Sequence, residues 1–284
     1  MAVSLDIDLL RSFAHVAESG ALSRAAERVG RSQAALSMQM KRLEDIVGQP
    51  LLTRTGRGVV LTVHGERLLV HARRILASHD DALAKLSGGR LDGTLRFGCP
   101  DDYADAFLPA LLRSFAQLHP AVVIEVVCAA TPRLVSRYER GGLDLALVSV
   151  PLDAERAILR REALVWVGAK DGGTDWPDPL RLALGDPDTL DHRAALEALS
   201  QAGRNYRIAY ASGSLSGLLA VVRSGQAIAV LTQAAVPRDL RILARTAGLP
   251  TLPKIGLVVR LEERHASPLT RAFAAHIRSL LPVL

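Results

Sequence analysis

Residues 21–44, Ala21-Leu22-Ser23-Arg24-Ala25-Ala26-Glu27-Arg28-Val29-Gly30-Arg31-Ser32-Gln33-Ala34-Ala35-Leu36-Ser37-Met38-Gln39-Met40-Lys41-Arg42-Leu43-Glu44, constrain the fold more than any other stretch. They read as two short helices joined by a tight turn. Ser23 stands where an N-cap is needed, before the helix-favouring run Arg24-Ala25-Ala26-Glu27-Arg28. Ala25 and Ala26 admit a second helix at close range, and Leu22 and Val29 supply an apolar face. Gly30 suits the left-handed position just past a helix end. Ser32 then caps a second helix, in which Ala35, Leu36, Met40, Leu43, Ile46 and Val47 repeat at helical spacing.

The opposite face of that second helix carries Gln33, Ser37, Gln39 and Lys41, with Arg42 at its edge. This is how a helix-turn-helix presents a recognition helix to the major groove. Gln33 and Ser37 lie one turn apart near the helix start. Gln bonds adenine through two contacts, and Ser contacts several bases or a phosphate. Lys41 and Arg42 suit phosphate oxygens, which fix position rather than sequence. An ordinary helical hairpin would carry similar polar residues, but charge favours DNA. Between Ser23 and Arg74 there are ten basic residues against four acidic ones, equal to the +6 excess of the whole chain. Further on, Gln49-Pro50-Leu51-Leu52-Thr53-Arg54-Thr55-Gly56-Arg57-Gly58-Val59-Val60-Leu61-Thr62 has glycine-rich turn chemistry between two β-prone runs, the signature of a hairpin. Beside a recognition helix it reads as a wing, with Arg54 and Arg57 able to reach a phosphate or the minor groove. A solvated basic hairpin is the alternative.

Residues 6–66 resemble the N-terminal winged helix-turn-helix of the LysR-type transcriptional regulators. The matching positions are Asp8-Leu9-Leu10-x-x-Phe13, Ser23-x-Ala25-Ala26, Ser32-Gln33-x-Ala35-Leu36-Ser37, Leu43-Glu44-x-x-x-Gly48-x-Pro50-Leu51-Leu52-x-Arg54, and Leu61-Thr62-x-x-Gly65-Glu66. Ala34 stands where this family often has Pro, and Met38 where it often has a basic residue, so operator preference is open. Ser37-Met38-Gln39 is similar to a subgroup of global regulators of motility and virulence. The residues expected at the duplex are Ser23, Arg24, Arg31, Ser32, Gln33, Ala34, Ser37, Met38, Lys41, Arg42, Arg54 and Arg57.

At 284 residues the chain exceeds one small DNA-binding domain. A sequence pI near 9.8 fits a nucleic-acid partner. Two cysteines make no disulfide framework. The N-terminus lacks a signal-peptide pattern and no apolar run reaches membrane-spanning length, so a soluble cytoplasmic protein without membrane contact is expected. From Thr62 to Leu86 the pattern is helical. Leu61, Leu68, Ile75 and Ala82 recur every seven residues, with Ala72, His79 and Leu86 as a companion set. That is a short coiled-coil seam, read as self-pairing rather than packing under the chain's own core. A dimer so formed places two recognition helices on a pseudo-palindromic operator. The resemblance implies dimers of dimers, hence a tetramer. Ser87-Gly88-Gly89-Arg90 marks a hinge.

From residue 91, β-like and helical runs alternate. Strands are expected at Thr94–Cys99, Val122–Val127, Leu143–Val148, Leu164–Gly168, Leu180–Leu184, Tyr206–Ala211, Ala227–Leu231 and Lys254–Leu261, and helices at 103–118, 132–140, 189–202, 214–224 and 268–281. Such alternation calls for parallel sheets covered by helices. The resemblance implies an α/β, two-lobed effector domain of the periplasmic-binding-protein-like (type 2) kind. The expected organisation is a winged helix-turn-helix at 1–62, a linker and dimerisation helix with hinge at 63–90, and a regulatory domain at 91–284. Lobe 1 would hold about 91–161 plus 257–284, and lobe 2 about 162–256. A small-molecule effector would sit between lobes, at strand ends and helix starts. The positions expected there are Pro100, Asp101, Asp102, Thr131, Ser149, Ser212, Ser214 and Thr232, beside Cys99. Ser212-Gly213-Ser214 reads as an anion cradle. Asp101 and Asp102 read first as helix caps; facing the cleft, they would favour a hydroxyl- or amine-bearing effector over a dicarboxylate. Cys99 and Cys128 end neighbouring strands, which admits a redox pair, although two inert small residues are the plainer reading.

Enzyme chemistry finds little support. In Gly213-Ser214-Leu215-Ser216-Gly217 the central Ser of a nucleophile elbow is Leu215. The His residues are scattered, away from metal-ligand spacing. No phosphate-binding or dinucleotide-binding glycine pattern occurs. No catalytic residue, metal or cofactor is expected. The reading is therefore a sequence-specific transcriptional regulator, with RNA polymerase as a further partner. Its alternatives are a solute-binding protein and a nucleoid-type architectural DNA-binding protein without effector.

Overall fold

The computed structural model describes residues 4–56, 58–86, 91–154, 157–172, 176–243, 248–264 and 266–284. Arg57 and the Ser87–Arg90 segment lie outside the described residues, as does the Leu86 side chain.

Helix α1 (Ile7–Ser19) starts at Asp6, whose carboxylate accepts from the backbone N–H groups of Asp8 and Leu9, and ends at Gly20 in the left-handed region. It buries Leu9, Leu10, Phe13 and Val16 against helices α2 (Leu22–Arg28) and α3 (Gln33–Val47). Ser23 is not the cap of α2: the helix begins at Leu22 after extended Ala21, with no side-chain cap bond. The Gly20-Ala21 turn sets that start two residues early, placing Ser23 on the exposed first turn. Ser32 does cap α3, accepting from the Ala35 N–H at 3.2 Å. Leu36, Met40 and Leu43 are fully buried, while Ala35, Ile46 and Val47 are half-buried.

Strands β1 (Leu52–Thr55) and β2 (Gly58–Leu61) form an antiparallel hairpin. Glu44 fixes it to α3, its Oε1 accepting from the backbone N–H groups of Leu51 at 2.8 Å and Leu52 at 3.1 Å. At Gly58 (φ +141°) a Cβ would lie 2.2 Å from the Gly20 carbonyl oxygen, so glycine lets the hairpin lie against the end of α1.

Helix α4 (Val63–Leu86) leaves this module. Its Leu69, Ala72 and Leu76 are buried in the same core as α1. Ala72 therefore packs on the chain's own head rather than on a free seam. Leu68 and His79 are half-buried, and Ile75 and Ala82 are exposed. The seven-residue repeat thus serves two surfaces at once, one edge of the apolar stripe covering α1 and the other facing outward.

The body comprises β3 (Gly93–Cys99), α5 (Asp101–Leu118), β4 (Val122–Cys128), α6 (Thr131–Glu139), β5 (Leu145–Pro151), β6 (Arg160–Ala169), β7 (Leu180–Leu184), α7 (Leu190–Gln201), β8 (Tyr206–Ala211), α8 (Leu215–Arg223), β9 (Ala229–Thr232), β10 (Leu240–Ile242), β11 (Lys254–Arg260) and α9 (Pro268–Leu280). Strand β3 runs parallel to β4 and β5, and β7 parallel to β8. The expected all-parallel sheets are nonetheless mixed. Strand β11 is antiparallel to β5 and to the first part of β6, and β9 and β10 are antiparallel to the rest of β6. The physical reason is the chain path. Strand β6 carries the backbone out of one lobe and β11 brings it back, so the two must run in opposite directions. Strand β6 changes partners between Ala163 and Leu164. The short edge strand β10 carries no clear alternation and was not expected.

One lobe packs around Phe97, Phe115 and Phe273, whose rings meet edge-on at centroid distances of 5.2 and 4.8 Å. The other packs around Leu164, Trp166, Leu182, Leu199 and Val230.

Candidate nucleic-acid interface and interlobe cleft

The first candidate site lies on α3 and the hairpin. Gln33, Ala34, Lys41 and Arg42 are exposed, and Met38 is 74% exposed, so the leading face of α3 is uncovered by the rest of the chain. Ser37 is half-buried because the Arg54 guanidinium lies over it, Nη2 donating to the Ser37 hydroxyl at 3.2 Å. Arg31, Ser32 and Ser23 are exposed nearby in the chain. Arg24 is exposed but tied down, donating to the Ser19 carbonyl at 2.8 Å. Gln39 does not join this face. It is half-buried, its Oε1 accepting from the Ser12 hydroxyl at 3.0 Å, because its place on α3 points it at α1.

The head's positive charge is divided in a way its composition conceals. Arg28 pairs with Glu125 of β4, Arg74 with Glu262 at 3.1 Å, and Arg73 with Glu18 at 3.5 Å. Glu18 of α1 also pairs with Arg96 of β3, which in turn holds Asp144 at 3.1 Å. Arg73 further donates to the Arg140 carbonyl at 3.1 Å. Three of the ten basic residues thus join the head to the body instead of facing a ligand. Glu18, Arg73 and Arg96 keep less than a fifth of their side-chain surface exposed, with values of 18%, 18% and 15%.

The second candidate site is a cavity of about 230 Å³ between the lobes. Asp101, Asp102, Thr131 and Ser149 line it from one side, and Ser212, Ser214 and Thr232 from the other. Pro100 does not line it: it is the buried residue preceding α5. Asp101 and Asp102 are not N-caps, since the helix begins after Pro100 without a side-chain cap bond. Both lie in the first turn and face the cleft. The lobes meet across it, the Thr232 hydroxyl donating to Asp102 Oδ2 at 3.3 Å.

The serine cradle is largely self-engaged. The Ser212 hydroxyl donates to the Ser214 carbonyl at 3.0 Å, and Ser214 Oγ accepts from the Gly217 N–H at 3.2 Å to cap α8. The Thr131 hydroxyl accepts from the Ser149 N–H at 3.2 Å. Residues not anticipated include Asp186, Asp188, Asp191 and Arg193. Gly185-Asp186-Pro187-Asp188-Thr189 joins the end of β7 to the start of α7, so the strand-end rule that selected the other positions applies to it equally.

Burial, then the neighbouring Asp191 charge, push the Asp102 carboxyl up to about 7. Burial raises Asp191 and Asp101 as well. Tyr103, just behind, is fully buried. Its hydroxyl lies beside Ser149 and Thr232 without reaching hydrogen-bond geometry to a partner. Cys99 and Cys128 are register partners across β3 and β4, both free, the first buried and the second exposed. Among the described residues, no group of three or more His, Cys, Asp or Glu side chains is arranged to hold a metal ion, and no helix is long and apolar enough to cross a membrane.

Residues 7–66 match the family model described as bacterial regulatory helix-turn-helix protein, lysR family, and residues 88–282 match the LysR substrate binding domain. The chain is 61% identical over 282 residues to the HTH-type transcriptional regulator DgdR of Burkholderia cepacia, covering 99% of this chain and 96% of that protein. Full-length OxyR from Pseudomonas aeruginosa has a similar fold, with a TM-score of 0.72 at 20% identity over 98% of this chain and 95% of that one. Full-length CbnR complexed with its target DNA gives a TM-score of 0.57 at 22% identity, covering 97% of this chain and 99% of that one.

Proposed function

This chain belongs to the LysR family of transcriptional regulators, and from that premise we propose that it reads a pseudo-palindromic operator under the control of a small molecule held between its lobes. The observation that carries the operator reading is the uncovered leading face of α3, flanked by the Arg54 side chain of the hairpin. In this reading Gln33 and Ser37 meet base edges, and Ala34 and Met38 make apolar contact in the groove. Arg31, Ser32, Lys41, Arg42 and Arg54 hold phosphates.

Dimerisation uses the outward edge of α4, around Ile75, and pairs two recognition helices. A tetramer and contact with RNA polymerase extend the same reading. The units doing this work are the head (1–62), the linker (63–90) and the two-lobed body (91–284). No step in this scheme requires a catalytic residue or a cofactor.

Footprinting on a genomic fragment library at physiological salt tests the proposal. Discrete protections that survive competitor DNA are expected from the wild type, and their loss from Gln33→Ala. Uniform, competitor-sensitive protection would replace this reading with a nucleoid-type architectural role.

A further inference from the structure

We propose that the molecule recognised in the cleft carries an ammonium group, seated between Asp102 and Asp191, on a small aliphatic body. This rests on the reading of the cleft as an effector site and names the chemistry of its occupant.

The two carboxylates belong to different lobes. Asp102 is in the first turn of α5, and Asp191 in the first turn of α7. Each is enclosed yet keeps some surface on the cavity. Asp102 accepts from the Thr232 hydroxyl and shares the cavity with Asp101 and Asp191, and no ion pair to it is found among the described residues. Asp191 has His192 as its basic neighbour, while the Thr189 hydroxyl donates to the Asp186 carbonyl at 2.8 Å. The His192 ring itself faces the Gly185 carbonyl, Nδ1 lying 3.0 Å from it.

Burying two carboxylates in one cavity is costly, and either protonation or an incoming cation relieves that cost. The lining as a whole repeats the imbalance, with five aspartates against Arg193. Arg133 at the rim is engaged by Asp186 at 2.9 Å. An incoming carboxylate would meet a predominantly negative lining, and the Ser212 hydroxyl proton is already given to the Ser214 carbonyl. A cation is what the site lacks.

The cation is organic rather than metallic. No metal-holding arrangement of three or more ligands occurs among the described residues. Leu164, Leu218, Val230 and Ile255 line the same cavity and suit a hydrocarbon portion. An ammonium offers three donors, enough for both carboxylates and one hydroxyl. The buried Tyr103 hydroxyl lies behind Ser149 and Thr232 and adds a neutral polar group to that wall. Because Asp102 and Asp191 come from opposite lobes, such a ligand would draw the lobes together.

The test is a thermal-shift series on the full chain with a probe panel matched in carbon skeleton. It comprises pentylamine, norvaline and pentanoate, extended by further primary amines, amino acids, mono- and dicarboxylates and sugars. Stabilisation confined to ammonium-bearing probes, and abolished in both Asp102→Asn and Asp191→Asn, is the expected result. If one variant does not fold, the other carries the comparison. Stabilisation by carboxylates or sugars alone, or ammonium-dependent shifts that persist in both variants, would overturn the assignment while leaving the effector cleft standing. A panel without any stabilising member would overturn the cleft reading itself, and the assignment with it.

Discussion

The Thr232 hydroxyl donates to Asp102 across the interlobe cleft at 3.3 Å, linking the end of β9 to the first turn of α5. Thr232 is itself buried, so this bond ties the lobes at the floor of the cavity. A carboxyl so placed makes stability depend on pH. Burial and Asp191 raise Asp102 to about 7, whereas in the unfolded chain it titrates near 4. The folded state therefore binds the extra proton between those values. Stability should fall as pH rises from about 4 to about 7 and level off above. Asp102→Asn should flatten this dependence and raise the melting temperature of the ligand-free protein at pH 8. Melting curves across that range check both; an unchanged slope in the variant would contradict the burial described.

At the duplex, Gln33→Ala should cost about 1–3 kcal/mol against the specific site and little against scrambled DNA. Arg54→Ala should weaken all sequences alike and flatten the salt dependence. Ser37→Ala should share both effects, because it removes the proposed base contact and also releases Arg54 from its 3.2 Å bond. Gel-shift titrations on specific and scrambled duplexes at two salt concentrations separate the three. Equal losses on both duplexes for Gln33→Ala would contradict its role.

The Glu18 carboxylate holds Arg73 and Arg96 at the joint between head and body. Glu18→Gln leaves two largely buried guanidinium groups short of a partner, and should cost on the order of 1–3 kcal/mol in urea unfolding. Glu125→Gln removes a more exposed pair with Arg28, whose side chains are 37% and 42% exposed, and should cost less than about 1 kcal/mol. Equal losses would remove the distinction.

Burial pushes the Cys99 thiol well up, and burial likewise raises Cys128, so little reactive thiolate forms at neutral pH. Peroxide treatment should leave operator affinity unchanged. Loss of two free thiols together with altered binding would revive a redox role for the pair.

Much of the head was legible in sequence because its determinants are local. The Ser32 cap, Gly30 turn and apolar repeat of α3 act over a few residues, and each neighbour restricts the next. The body's strands and helices were legible for the same reason, from period and breakers. Their directions were not, since the antiparallel course of β6 and β11 follows from where the chain re-enters a lobe. Ser23 illustrates the limit even for local rules: the constraint from Gly20 moved the helix start past it.

What the sequence alone determined is a basic helix-turn-helix head on a two-lobed α/β body, because caps, periodicity and turn residues are short-range physics. Tertiary structure decided which charges are free and which are engaged. Glu18 meets Arg96 across 78 residues, and Asp102 meets Thr232 across 130. Electrostatic energy depends on distance and burial, and neither can be read from position along a chain.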